Sequence, residues 1–137
     1  MACRLLPLVP DVIRVVDVVH ASDRIIVRGR IKASCSICPA CHGHSNVRHG
    51  RYDRTLRDLP WQGKPVCLRV QVRRFVFQNP NCHLRTFSER FGAAARPCAR
   101  RSERLREIQR HLGLALGGEA GERLSCRLGM DISADMN

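Results

Sequence analysis

The sequence predicts an α+β fold, with a small antiparallel β region built around a cysteine knuckle and helices after it. Three observations predict this. β-branched runs recur before residue 77, two cysteine-bearing turns bracket a strand hairpin, and helical periodicity takes over from Ser102. The expected division is an N-terminal β-hairpin region at 1–34, a knuckle-bearing domain at 35–95 and a helical region at 96–137.

At 137 residues the chain has room for one domain or two small ones. With only 4% aromatic residues, one Trp and one Tyr among them, it has few large core side chains, so a bound metal or a partner would help it fold. Charge is the strongest bulk signal: 24 basic residues face 12 acidic ones, for a net +12. All but Lys32 and Lys64 of the basic residues are arginines, whose planar fork suits phosphate. The excess is concentrated. Residues 48–110 hold 16 basic and 5 acidic residues, a net +11, whereas 1–47 hold 6 and 3, and 111–137 hold 2 and 4. A middle third this basic points to a nucleic-acid surface. The competing reading is a solvated basic face.

Val12 to Val19 and Arg24 to Ile31 read as an antiparallel hairpin around Ala-Ser-Asp. Strict alternation puts Arg14 and Asp17 on opposite faces, so the first strand is expected to be covered on most of its surface. Cys38-Pro-Ala-Cys41 follows on a Pro-marked turn. A two-residue gap lets both sulfurs reach one metal, and Cys35, His42 and His44 stand close by as further donors. A redox Cys-x-x-Cys would need a βαβ context, which does not precede it. Arg51 to Leu59 is then a short strand, and residues 58–64 a turn marked by Pro60 and Gly63. Trp61 reads as a core plug rather than a base-stacking platform. From Pro65 to Phe77 the pattern alternates, with Val66, Leu68, Val70, Val72 and Val76 on one face and Cys67, Arg69, Gln71 and Arg73 on the other. Asn79-Pro80-Asn81-Cys82 supplies the second cysteine turn. Two such turns around a hairpin are the pattern of a zinc ribbon.

Ser102 opens a helix with Leu105, Ile108, Leu112 and Leu116 at helical spacing, stopped by Gly117-Gly118. Glu119 to Leu128 is a shorter helix ended by Gly129, with Cys126 expected in its core. Asp131-Ile132-Ser133 looks like the entry to a third, with Ser133 as N-cap. This spacing is that of a partial trihelical helix-turn-helix, cut short in its recognition helix by Asn137. Met1 to Pro10 makes no signal peptide and no apolar run approaches a membrane span, so a cytoplasmic, nucleoid-associated protein with reduced cysteines and no membrane partner is expected.

The blocks CPAC, RYDRTLRDLPWQGKPV, RVQVRRF, NPNC, RTFSER and GLALGGEAGERLSCRLGM together resemble the N-terminal part of insertion-sequence transposases of the ISL-three group. The likeness covers nearly the whole chain. It implies a four-cysteine zinc ribbon, a helix-turn-helix and, further on, a catalytic domain with a metal-binding carboxylate triad. Matched residue by residue, Cys38, Cys41 and Cys82 fall on zinc ligands. Phe77 stands where the fourth cysteine belongs, which leaves Cys67, Cys35 or His83 to complete the set.

The resemblance implies a truncated transposase front piece that binds the element's terminal inverted repeats as double-stranded DNA. Without the triad it would be no enzyme. Arg48, Arg51, Arg54, Arg69, Arg73, Arg74, Arg100, Arg101 and Arg104 are the expected phosphate contacts, which would position the module without reading bases. The alternative is a regulatory protein that pairs with full-length transposase and inhibits it, using the amphipathic Ser102–Leu116 helix.

Overall fold

The computed structural model describes residues 7–33, 36–76 and 79–130. Its centre is one long hairpin. Strands β1 (Ile13–His20) and β2 (Ile25–Ile31) come first, then the short pair β3 (Ser36–Ile37) and β4 (His44–Ser45). The hairpin itself is β5 (Arg48–Trp61) with β6 (Lys64–Val76), and β7 (Thr86–Ser88) follows it. Helices α1 (Glu103–Leu116) and α2 (Gly118–Arg127) close the described chain.

β6 organises the sheet because its even-numbered residues from Val66 to Val72 are all apolar. Val66, Leu68, Val70 and Val72 are fully buried on one face, as their alternation predicts. β5 runs antiparallel along one side of β6. The other side is shared, with β2 pairing residues 66–71 and β7 pairing residues 74–76. The strand order is β1-β2-β6-β5. β1 and β2 therefore lie in one sheet with β5, β6 and β7, while β3 and β4 form a separate two-stranded sheet.

That sheet is mixed, not purely antiparallel, because β2 runs parallel to β6. Parallel neighbours need a long crossover, and the knuckle together with β5 supplies one. The turn between β5 and β6 is also tighter than residues 58–64. Gln62 and Gly63 form it alone, at φ 51° and 77°, the two positive values that a two-residue type I′ turn requires. Pro60 sits at the register shift between Asp58 and Trp61, a bulge where a missing N–H breaks no ladder.

A second bulge changes the reading of β1. The register skips Val16, so Arg14 pairs with Arg30 and Asp17 with Arg28, and both fall on the same face. That face is open, and β1 is an edge strand exposed along most of its length rather than covered.

The two faces of the sheet have different fates. The even face of β6 holds the core: Ile13, Ile25, Val27, Ile31 and Leu56 join the β6 valines beneath Phe91 and Ala95, with Trp61 packed at the margin. Residues 99–102 extend the outer edge of β5, the Arg57 amide donating to Arg100 O (2.8 Å) and the Ser102 amide to Arg57 O (2.8 Å). Ser102 then caps α1, its hydroxyl accepting from the Leu105 amide. α2 crosses α1 where Gly121 approaches the Gly113 backbone, and it ends in a Schellman turn. There the Met130 amide donates to Ser125 O and the Gly129 amide to Cys126 O. Gly129, at φ 92°, lies against Gly63, where a Cβ would meet the Gly63 oxygen at 2.7 Å. The helical pair is thereby seated on the hairpin tip.

Among the described residues there are two α-helices and one short 3-10 turn at Gly92–Ala94. The third helix expected at Ser133 lies outside the described residues, and the trihelical array is not seen. Cys126, expected in the core of α2, is exposed. No described helix is long and apolar enough to cross a membrane.

A candidate metal centre and its basic surroundings

The odd face of β6 carries a smaller core at its far end. Phe75 is completely buried there, stacked on Phe87 of β7 with ring centroids 5.9 Å apart. Cys38 packs on these rings, with Cys41, Cys82 and Leu84 around them. The two cysteine turns, 44 residues apart in sequence between Cys38 and Cys82, are thus brought together over one aromatic floor.

Local hydrogen bonds shape each turn. In the first, the Cys38 amide donates to Gly43 O (2.8 Å) and the His42 amide to Cys38 O (2.9 Å), with His42 at φ 62°. In the second, Asn79 accepts from the Asn81 amide through its side chain and from the Cys82 amide through its carbonyl, an Asx-type turn. The Asn79 side-chain amide also donates to the Cys41 sulfur at 3.6 Å, tying one turn to the other.

The sulfurs of Cys38, Cys41 and Cys82 all lie within 4.8 Å of one another, and the Cys38 and Cys82 sulfurs are 3.8 Å apart. That is far beyond a disulfide bond, and all three cysteines are free. It equals the edge of a tetrahedron around zinc: a Zn–S bond of about 2.3 Å places adjacent sulfurs about 3.8 Å apart. The donor set fits zinc, supplying three of four corners with soft ligands. Burial pushes the Cys38 thiol up, but the Cys41 and Ala40 amides and the Cys41 and Cys82 thiols outweigh it, and the net pKa is lowered. At Cys82 the Leu84 amide pulls the thiol down. Burial and the Cys41 and Cys38 sulfurs together exceed that pull and raise it. Cys38 is the first of this pair to become the thiolate that metal binding needs.

Of the candidates for a fourth ligand, the two that lie among the described residues, Cys67 and His83, are not brought to this group. Cys67 is buried mid-strand beside Ile26 and Arg57. Eight residues of β6 separate it from Phe75, about 26 Å at ~3.3 Å per residue, so it cannot reach the cluster. His83 is exposed and outside the group. Cys35 and Phe77 lie outside the described residues.

The predicted phosphate contacts divide into three kinds. Arg48, Arg51, Arg69 and Arg74 are exposed on β5 and β6, and the Arg74 guanidinium lies 5.3 Å from the Tyr52 ring centroid. Arg54 is half-buried, donating to Ala99 O (2.8 Å) and lying over the Phe91 ring. Arg101 donates to Gln109 Oε1 (2.7 Å), while Arg100 is exposed. Arg73 and Arg104 serve the fold instead. Arg73 pairs with Glu89, whose side chain is only 2% exposed, and also donates to Ala33 O. Arg104 grips the fully buried Asp58 through Nε (2.9 Å) and Nη2 (2.6 Å), while Ser102 donates to the same carboxylate at 2.7 Å. Both are tied into the fold, since a guanidinium that neutralises a buried carboxylate cannot leave it cheaply.

Three sulfurs gathered from two turns around a strand hairpin define a zinc-ribbon type of site. Residues 36–83 match the family model described as the zinc-finger of transposase IS204/IS1001/IS1096/IS1165, and this segment contains all three cysteines. Among curated proteins and among solved structures, nothing matches the chain.

Proposed function

We propose that the chain is a duplex-DNA-binding module of an insertion-sequence transposase system, its knuckle held on the sheet by zinc. The reading rests on one coincidence: the three-sulfur cluster falls inside the segment that matches a transposase zinc finger. The terminal inverted repeats of the element are its proposed target. Its role is to bind, with exposed arginines neutralising backbone phosphates and the metal fixing the surface that carries them. Bond cleavage is assigned to no residue of this chain.

Such binding is driven by counterion release. For about five phosphate contacts, affinity for a duplex should fall by roughly two to three orders of magnitude between about 50 and 200 mM salt. Fluorescence anisotropy of a labelled terminal-repeat duplex across that range checks it. Affinity that does not change with salt would contradict the reading.

A further inference from the structure

The odd face of the sheet, opposite the core, carries more cations than the hairpin β5–β6 alone provides. Cross-strand register aligns Arg14 of β1 with Arg30 of β2, and Arg28 of β2 with Arg69 of β6. Arg51 of β5 pairs with Arg73 further along. All of these side chains except Arg73 are exposed. On the same face are two exposed carboxylates, Asp17 and Asp53, besides the buried Glu89 that Arg73 neutralises, and Asp17 lies 3.8 Å from Arg28. Five exposed arginines against two acids leave the face strongly positive.

At the end of this face, where β2 ends and β5 begins, there is a cleft of about 430 Å³. Its charged lining is Arg14, Arg30, Lys32, Arg48, Arg51 and Arg73, with no carboxylate among the lining residues. Arg14, Arg30 and Lys32 come from the N-terminal hairpin and the residue after it, outside the segment that matches the zinc finger. The signal was present in RIIVRGRI: a period of two puts Arg28 and Arg30 opposite the buried Val27 and Ile31.

We infer that this face is the DNA-docking surface and that the N-terminal hairpin supplies one wall of a phosphate-binding cleft. The inference rests on the DNA-binding reading and specifies where that binding occurs. A small anion would engage the cleft at one point. The arginines continue beyond it in rows, with neighbours on one strand about 6.6 Å apart, and an extended array of this kind suits the repeating charge of a nucleic-acid backbone. The sheet's other face is closed by Phe91 and Ala95, which leaves this side as the basic one open to a partner. The knuckle adjoins the cleft through Arg73 and Phe75, so a metal that fixes the knuckle also fixes the cleft's border.

The test compares two triple variants of equal charge in the zinc-loaded full chain. The first is Arg14→Gln, Arg28→Gln, Arg30→Gln. The second is Arg96→Gln, Arg106→Gln, Arg110→Gln, which removes three cations from α1 and the loop before it. Binding to a random-sequence DNA duplex is followed against salt, and a thermal melt establishes that each variant is folded. The first variant should lose affinity by at least about tenfold and bind with a shallower log–log salt slope, by about 0.9 for each phosphate no longer neutralised. The second should match the wild type. A first variant that binds with wild-type affinity and slope overturns the inference while leaving the DNA-binding reading intact. Equal losses in both variants also overturn it, since bulk charge would then explain the effect. Wild-type protein that binds no duplex overturns the parent reading instead. A clear preference for an RNA duplex would assign the face to RNA and overturn the DNA assignment.

Discussion

Cys82 and Cys67 are both partly or fully buried thiols next to strand β6 or on it, yet they stand in opposite chemical situations. Cys82 sits on an Asx-type turn, 3.8 Å from the Cys38 sulfur. Cys67 is locked mid-strand, with no other metal-ligating group gathered around it among the described residues. Serine at position 82 replaces a thiolate ligand with a hydroxyl that stays protonated, so Cys82→Ser should lower zinc content to well below one per chain. Cys67→Ser should leave it unchanged. Metal analysis of the purified variants separates the two, and zinc loss in Cys67→Ser would place a ligand where the geometry has none. Cysteine spacing made the Cys38–Cys41 pair legible. It could not show that Cys67 is too far away, because that distance depends on the length of an uninterrupted strand.

Among the elements, the junction between the hairpin and α1 carries the least expected chemistry. Asp58 has no exposed side-chain surface, and it accepts hydrogen bonds from Ser102 and, twice, from Arg104. One carboxylate thus joins the end of β5 to the cap and first turn of α1. Asp58→Ala would leave the half-buried Arg104 guanidinium with only the Pro7 and Leu8 carbonyls and the Ser102 hydroxyl without its acceptor, and should destabilise the protein by about 2 kcal/mol or more. Denaturant melts check this, and a loss under about 1 kcal/mol would show that the network contributes little. The helix start at Ser102 and the stop at Gly117 were readable, because start and stop signals are local. So was the burial of Val66, Leu68, Val70 and Val72, because one face of a strand reports its own period. The Val16 bulge, the parallel pairing of β2 with β6, and the Asp58–Arg104 and Arg73–Glu89 pairs were not readable. Each depends on residues far apart in the chain, and an arginine bound for a buried carboxylate looks in sequence like one bound for phosphate.

At the scale of the whole molecule, the sheet separates two tasks. One face is sealed by Phe91, Ala95 and the β-branched core, and the helical pair is anchored at the hairpin tip. The other presents arginines from β1, β2, β5 and β6, and ends at the cysteine cluster. Net charge predicted that some surface would be basic, but it could not say which, because that follows from register. On the proposed function, metal and DNA binding are interdependent: the thiolates that would hold zinc also hold the knuckle on Phe75, beside Arg73 of the basic cleft. The decisive measurement is duplex binding by the zinc-loaded protein before chelation, after chelation and after zinc is restored, at one fixed low salt concentration. Tight binding is expected that weakens at least about tenfold when the metal is removed and recovers on its return, because a metal supplies folding free energy to its own domain. Chelated protein that binds DNA with undiminished affinity would contradict that interdependence.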